Sequence, residues 1–292
     1  MTPATTALPA PPTAGRGLWR TQALAVAAQE LRRGIVGLRA LGLLFLCGFP
    51  ILIVTVATVV RMSGFIRQDM APNAGRLAIE YATFYQAVML RLVIFFVCAL
   101  VFSRLFRVDI QQRSLHYYLL TPLRREVFAA GKFLAGLVLT GVTLALATAV
   151  SFLVYHYPLS MNAGSGGFGA FLAAEGFGQM LLYVGISLLG VLGYGAVFFA
   201  MGLYFKNPIL PTIAVYAIEG LNPILPVLLK QMSVIHYLQS LQPVPVSQGP
   251  LAILAEPASP FVAVPGVIAV AAVLLWLSAK KARKLEIHYG DE

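Results

Sequence analysis

Apolar residues run almost free of charge through six long stretches, beginning near Leu41, Thr83, Phe133, Phe177, Ile209 and Phe261. Each reaches roughly 19 to 29 residues, against the ~20 that a hydrocarbon core of ~30 Å requires. The pattern predicts an all-α integral membrane protein with six transmembrane helices. Two charges interrupt these stretches: Arg91 in the second and Glu219 in the fifth.

The polar gaps between the stretches differ in charge. With a cytoplasmic N-terminus, Arg16, Arg20, Arg32, Arg33 and Arg39 precede the first span, and Arg104, Arg107, Arg113, Arg124, Arg125 and Lys132 separate the second from the third. Lys206 lies between the fourth and fifth, and Lys280, Lys281, Arg283 and Lys284 follow the sixth. That orientation puts 16 of the 21 cations inside, leaving Arg61, Arg67, Arg76 and Lys230 outside and Arg91 within a span. The positive-inside bias therefore selects an N-in/C-in topology. A chain with 59% hydrophobic and only 11% charged residues, and a mean hydropathy of +0.82, excludes a soluble domain. The net charge of +10 is explained by orientation and by contact with anionic lipid, so nucleic acid is not expected.

Residues 1–17 are rich in Pro, Ala and Thr and predict a disordered cytoplasmic lead. Over residues 18–39, Leu24, Leu31, Ile35 and Leu38 recur at helical intervals, with Glu30, Arg32, Arg33 and Arg39 on much of the remaining circumference. This predicts an amphipathic interfacial helix. The transmembrane domain then covers 40–279, and 280–292 form a cytoplasmic tail. Outside, NAGSGGFGAF in the second loop lacks the order of a phosphate-binding loop and reads as a flexible linker. The third loop is proline-rich, and its Val234–Leu241 portion suits a short helix over the outer end of the bundle. Cys47 and Cys98 fall inside spans and offer no disulfide framework, and the four histidines are scattered.

Between the second and third spans the chain reads LFRVDIQQRSLHYYLLTPLRREVFAAGKFLAG. Asp109 to Leu120 can form a short helix with Leu115, Tyr118 and Leu119 on its apolar face. Pro122 disfavours helical geometry at Thr121, which then caps the next helix with Pro122 at its first position. Arg124, Arg125 and Lys132 are expected at the inner headgroup level. A partly apolar helix projected into the cytoplasm calls for a partner that covers it.

This segment resembles the intracellular loop of ABC-transporter permeases of the type-2 export class, the type V exporters. The resemblance rests on Ser114, Leu115, Leu119, Leu120, Thr121, Pro122, Leu123, Arg125, Gly131 and Lys132, and extends to the six spans, the N-terminal helix with Glu30-Leu31-Arg32 and the long last external loop. Gln111-Gln112-Arg113-Ser114 departs from the acidic-Gly-Thr stretch common in that family. The resemblance implies a cytoplasmic coupling helix that docks on an ABC ATPase subunit, with Arg113, Ser114, Leu115, Tyr118, Leu119, Pro122 and Arg125 as its contact residues. It implies a second permease copy, surrounding lipid and a bacterial-type inner membrane. No Walker motif occurs: Phe133 follows Gly131-Lys132, and Glu126 stands where the first glycine is needed. No cofactor is expected on this chain, and ATP and magnesium belong to the partner. The expected function is a permease subunit that couples the partner's ATP hydrolysis to movement of a substrate, not an enzyme. A secondary transporter or channel, or a membrane-embedded enzyme, is the alternative.

Arg91 and Glu219 lie at similar depth, and charges there normally pair or face a polar cavity. They are expected to form an ion pair or to share a hydrated pocket. Pro223 and Pro226, near the exit of the fifth stretch, predict a kink or hinge.

Overall fold

A computed structural model describes residues 16–35, 38–64, 73–106, 124–161, 167–222, 226, 233–246 and 258–283. The described residues are all-helical, without strands. In chain order the helices are α1 (Arg16–Ile35), α2 (Leu38–Met62), α3 (Ala74–Phe102), α4 (Arg125–His156), α5 (Gly167–Tyr204), α6 (Ile209–Gly220), α7 (Val234–Ser240) and α8 (Pro260–Arg283). Five are long and apolar enough to cross a membrane: α2, α3, α4 with its 3-10 extension to Met161, α5 and α8.

Helices α4 and α5 form the centre. Helix α4 packs against α1, α2 and α5, and α5 also packs against α3 and α8. Large aromatic side chains fill the interior: Tyr81, Phe95, Phe102, Phe152, Tyr183, Tyr194, Phe198 and Phe199 are all but fully buried. The outer faces carry exposed Leu44, Phe45, Leu52, Leu146, Leu181, Ile213 and Phe261. In water such a surface would aggregate; against lipid tails it costs nothing. Burial of leucine against leucine therefore gives no driving force, and close packing at small residues has to supply it. Gly202 shows this: a Cβ there would meet the Ser103 carbonyl oxygen at 2.6 Å, so α5 rests directly on the backbone at the end of α3.

Several expectations are corrected. The second span begins at Ala74, not near Thr83, because Asn73 caps the helix by accepting from the Gly75 N–H and the charges of Arg76 and Glu80 satisfy each other. The glycine-rich second loop is helical from Gly167 and runs through a π turn (Leu172–Gly176) into α5. Of the fifth stretch, the described residues hold one short helix, α6, whose 12 residues cover about 18 Å of a core of ~30 Å; residues 223–225 and 227–232 lie outside the described residues. Helix α1 starts at Arg16 and α8 ends at Arg283, close to the expected bounds of the lead and the tail.

Candidate functional site

Residues 107–123 lie outside the described residues, and with them Arg113, Ser114, Leu115, Tyr118, Leu119 and Pro122. Their two roots are described, and both converge on Lys132. Its ammonium donates to the Glu30 carboxylate of α1 at 2.6 Å and to the Leu105 carbonyl, just past α3, at 2.8 Å. The rings of Phe106 and Phe128 lie 5.8 and 5.1 Å away. At 1% exposure this lysine is not a headgroup anchor, contrary to the sequence expectation. A buried ammonium is tolerated because a carboxylate and a carbonyl replace its water.

The residue before it makes the contact possible. A Cβ at Gly131 would meet the Ala23 carbonyl oxygen at 2.7 Å, so only glycine lets α1 lie this close to α4. Arg124 stacks its guanidinium 4.3 Å from the Trp19 ring, tying the start of α4 to α1. Arg125 donates to the Arg283 carbonyl at 3.1 Å, and Arg283 in turn binds Glu126, joining α4 to the end of α8. The segment 107–123 thus springs from a junction at which α1, α3, α4 and α8 are bonded together.

A second polar centre lies within the bundle. Glu219 is buried, and its carboxylate accepts from Ser233 Oγ at 2.7 Å. The Tyr194 hydroxyl and the backbone N–H groups of Val234 and Ile235 lie near it. The carboxylate thereby lies beside the N-terminus of α7, where the helix dipole favours negative charge. Arg91 sits in a π-helical segment of α3, Tyr85–Ile94, partly buried. No ion pair joins it to Glu219 among the described residues, and its buried Nε has no hydrogen-bond partner there. Tyr194 lies within electrostatic range of both Glu219 and Arg91. Asn222 Nδ2 is likewise buried without a partner among the described residues. Of the hinge prolines, Pro226 is exposed and non-helical, and Pro223 lies outside the described residues.

Sequence reasoning missed a third cluster, at the other end of α4. Tyr85 bonds Ser187 Oγ (2.8 Å) and the Tyr183 carbonyl (3.0 Å), Thr148 bonds Ser187 (2.9 Å), and Tyr81 bonds Ser151 (3.2 Å). Beside them, His156 is fully buried, stacked on Phe171 with ring centroids 4.9 Å apart. Glu80 gathers Arg61 (2.6 Å), Arg76 (2.8 Å) and the Tyr155 hydroxyl (3.0 Å). The legible signal was polar residues at helical spacing inside apolar runs: Tyr81 and Tyr85, Thr148 and Ser151, Tyr183 and Ser187.

The family model described as CcmB protein matches residues 83–275. Neither a curated protein nor a solved structure matches the chain.

Proposed function

The chain belongs to the CcmB protein family of ABC-transporter permeases, and from that premise we propose that it is the membrane subunit of an ATP-driven heme exporter. The family makes it a membrane protein and a non-catalytic transport subunit that works with an ATPase subunit. In the proposed assembly the fold is that of the type-2 export class, with six spans and both termini cytoplasmic. The chain pairs with a second permease copy in the inner membrane of a bacterial-type cell. ATP and magnesium sit on the partner ATPase, whose motion enters through the segment 107–123.

The observation that carries this reading is the junction at the roots of that segment. Lys132 bonds both Glu30 of α1 and the Leu105 carbonyl at the end of α3, and Arg125 and Glu126 meet Arg283 of α8. A push on 107–123 therefore reaches α1, α3, α4 and α8 together rather than bending one loop. In this reading Leu115, Tyr118 and Leu119 fill an apolar groove of the ATPase, with Arg113 and Arg125 at its edge and Ser114 and Pro122 shaping the helix and its corner.

Co-purification tests it. The variant Leu115→Asp/Leu119→Asp is expected to insert normally and to lose its ATPase subunit. A variant that retains the ATPase at the wild-type ratio overturns the docking role. Heme release to the outer face of vesicles, dependent on ATP and on this chain, tests the cargo.

A further inference from the structure

Among the described residues, Arg91 has no carboxylate paired with it. It lies 11 residues from the Phe102 end of α3, about 16 Å, and farther still from Ala74. From that depth its side chain cannot easily reach either interface. Glu219, the other charge inside the apolar stretches, already accepts from Ser233. The Arg91 Nε is buried and unpartnered among the described residues. Yet the side chain is not enclosed: Ala87 and Thr83, one and two turns back along the same face, are exposed, and Arg91 itself is only partly buried.

A guanidinium turned toward acyl chains at this depth costs at least ~2.5 kcal/mol on insertion scales, so such groups face a polar partner or a cavity. The backbone around it is also irregular. The π-helical run Tyr85–Ile94 departs from the regular α geometry on either side, and such departures concentrate at functional sites. Four and five residues farther along α3, the buried Phe95 and the exposed Phe96 meet Tyr216 of α6 at ring distances of 5.2 and 5.1 Å, with Phe96 and the half-buried Tyr216 reaching the surface. The edge therefore combines a cation with no ion pair among the described residues with the exposed ring of Phe96 and the half-buried ring of Tyr216.

We propose that this edge is a cargo subsite in which Arg91 binds a carboxylate of an otherwise apolar, planar molecule. The inference rests on the heme-export reading, since heme is a flat macrocycle bearing two carboxylate arms. The guanidinium fork matches a carboxylate in bidentate fashion, which fixes the orientation of the cargo as well as retaining it. The aromatic rings beside it take the macrocycle.

The test uses the full chain with its ATPase subunit in nanodiscs, with empty nanodiscs as the baseline. Retention is measured for hemin against its dimethyl ester, and for lauric acid against methyl laurate. Wild type is expected to prefer the free acid over the ester by about tenfold in Kd, the scale of one charge-assisted pair. Arg91→Leu removes that preference, and Arg91→Lys keeps part of it; Arg91→Gln replaces the leucine variant should that variant fail to insert. An Arg91-dependent preference for lauric acid with no retention of hemin overturns the heme reading and leaves the carboxylate site standing. A preference that survives in the leucine or glutamine variant, or its absence from both scaffolds, overturns the proposal. So does a variant whose sole defect is separation of the two permease copies with the acid-to-ester ratio unchanged.

Discussion

The Lys132 ammonium and the Glu30 carboxylate meet at 2.6 Å across 102 positions of sequence, with the lysine 1% exposed. The pair ties the N-terminal helix to the root of the segment between α3 and α4. It also leaves two charges with little water, so either one alone is worse than neither.

Removing one partner of this pair is expected to cost about 3–5 kcal/mol, because the remaining charge stays buried and uncompensated. Lys132→Met and Glu30→Gln should each lower the thermal midpoint of the detergent-solubilised protein, and Lys132→Met/Glu30→Met should recover part of the loss. Fluorescence-detected gel filtration after heating reads this directly. Additive losses in the double variant would show that the pair does not act as a unit.

The Arg61–Glu80 pair has the same 2.6 Å separation but a different setting, with Glu80 30% exposed and shared with Arg76. Solvent screens it, so Glu80→Gln is expected to cost about 0.2–1 kcal/mol and to matter less as salt rises. The same heating assay at two ionic strengths separates the two pairs. A Glu80→Gln loss as large as that of Lys132→Met contradicts the burial argument.

Tyr85 allows ring packing to be weighed against hydrogen bonding. Its hydroxyl meets Ser187 and the Tyr183 carbonyl, and its ring packs 4.6 Å from that of Tyr183. Hydrogen bonds between membrane helices average about 0.6 kcal/mol, whereas truncating a buried aromatic costs about 3–5. Tyr85→Phe should therefore be mild and Tyr85→Ala severe in the same stability measurement. Equal losses would assign the stability to the hydroxyl.

Glu219 is bonded to Ser233 and not to Arg91, which predicts an unequal pair of double-mutant cycles. Glu219→Gln with Ser233→Ala should show a clear coupling energy. Arg91→Leu with Glu219→Leu should be close to additive, within about 0.5 kcal/mol. A larger coupling for the second cycle would mean that the two charges meet directly in the membrane.

The membrane-crossing helices were legible because the constraint that makes them is local. A bilayer demands about 20 apolar residues in a row, and composition within that window decides the matter. The starts of α2 and α8 follow that logic, whereas α4 and α5 begin ahead of their apolar runs, at Arg125 and Gly167. The start of α3 did not follow it, because Arg76 and Glu80 read as loop polarity until the helix brings them one turn apart. Helix α7, packed on α5 and α8, was also readable from its short apolar run, although the Glu219 carboxylate beside its start was not.

Sequence alone also determined that the chain is a permease-like membrane subunit without a Walker motif, since motif order and apolar runs are properties of neighbours along the chain. Which charges are buried was decided only in three dimensions. Lys132 reads as one more headgroup cation beside Arg124 and Arg125, and becomes a core residue because Glu30, 102 positions earlier, is brought to it by the close approach at Gly131. His156 reads as a loop residue and ends up stacked on Phe171. Arg91 and Glu219 share a depth along their stretches, but side-chain direction is set by how helices rotate against one another. That rotation gave Glu219 to Ser233 and left Arg91 without a carboxylate among the described residues, because partners across a bundle are chosen by packing and not by depth.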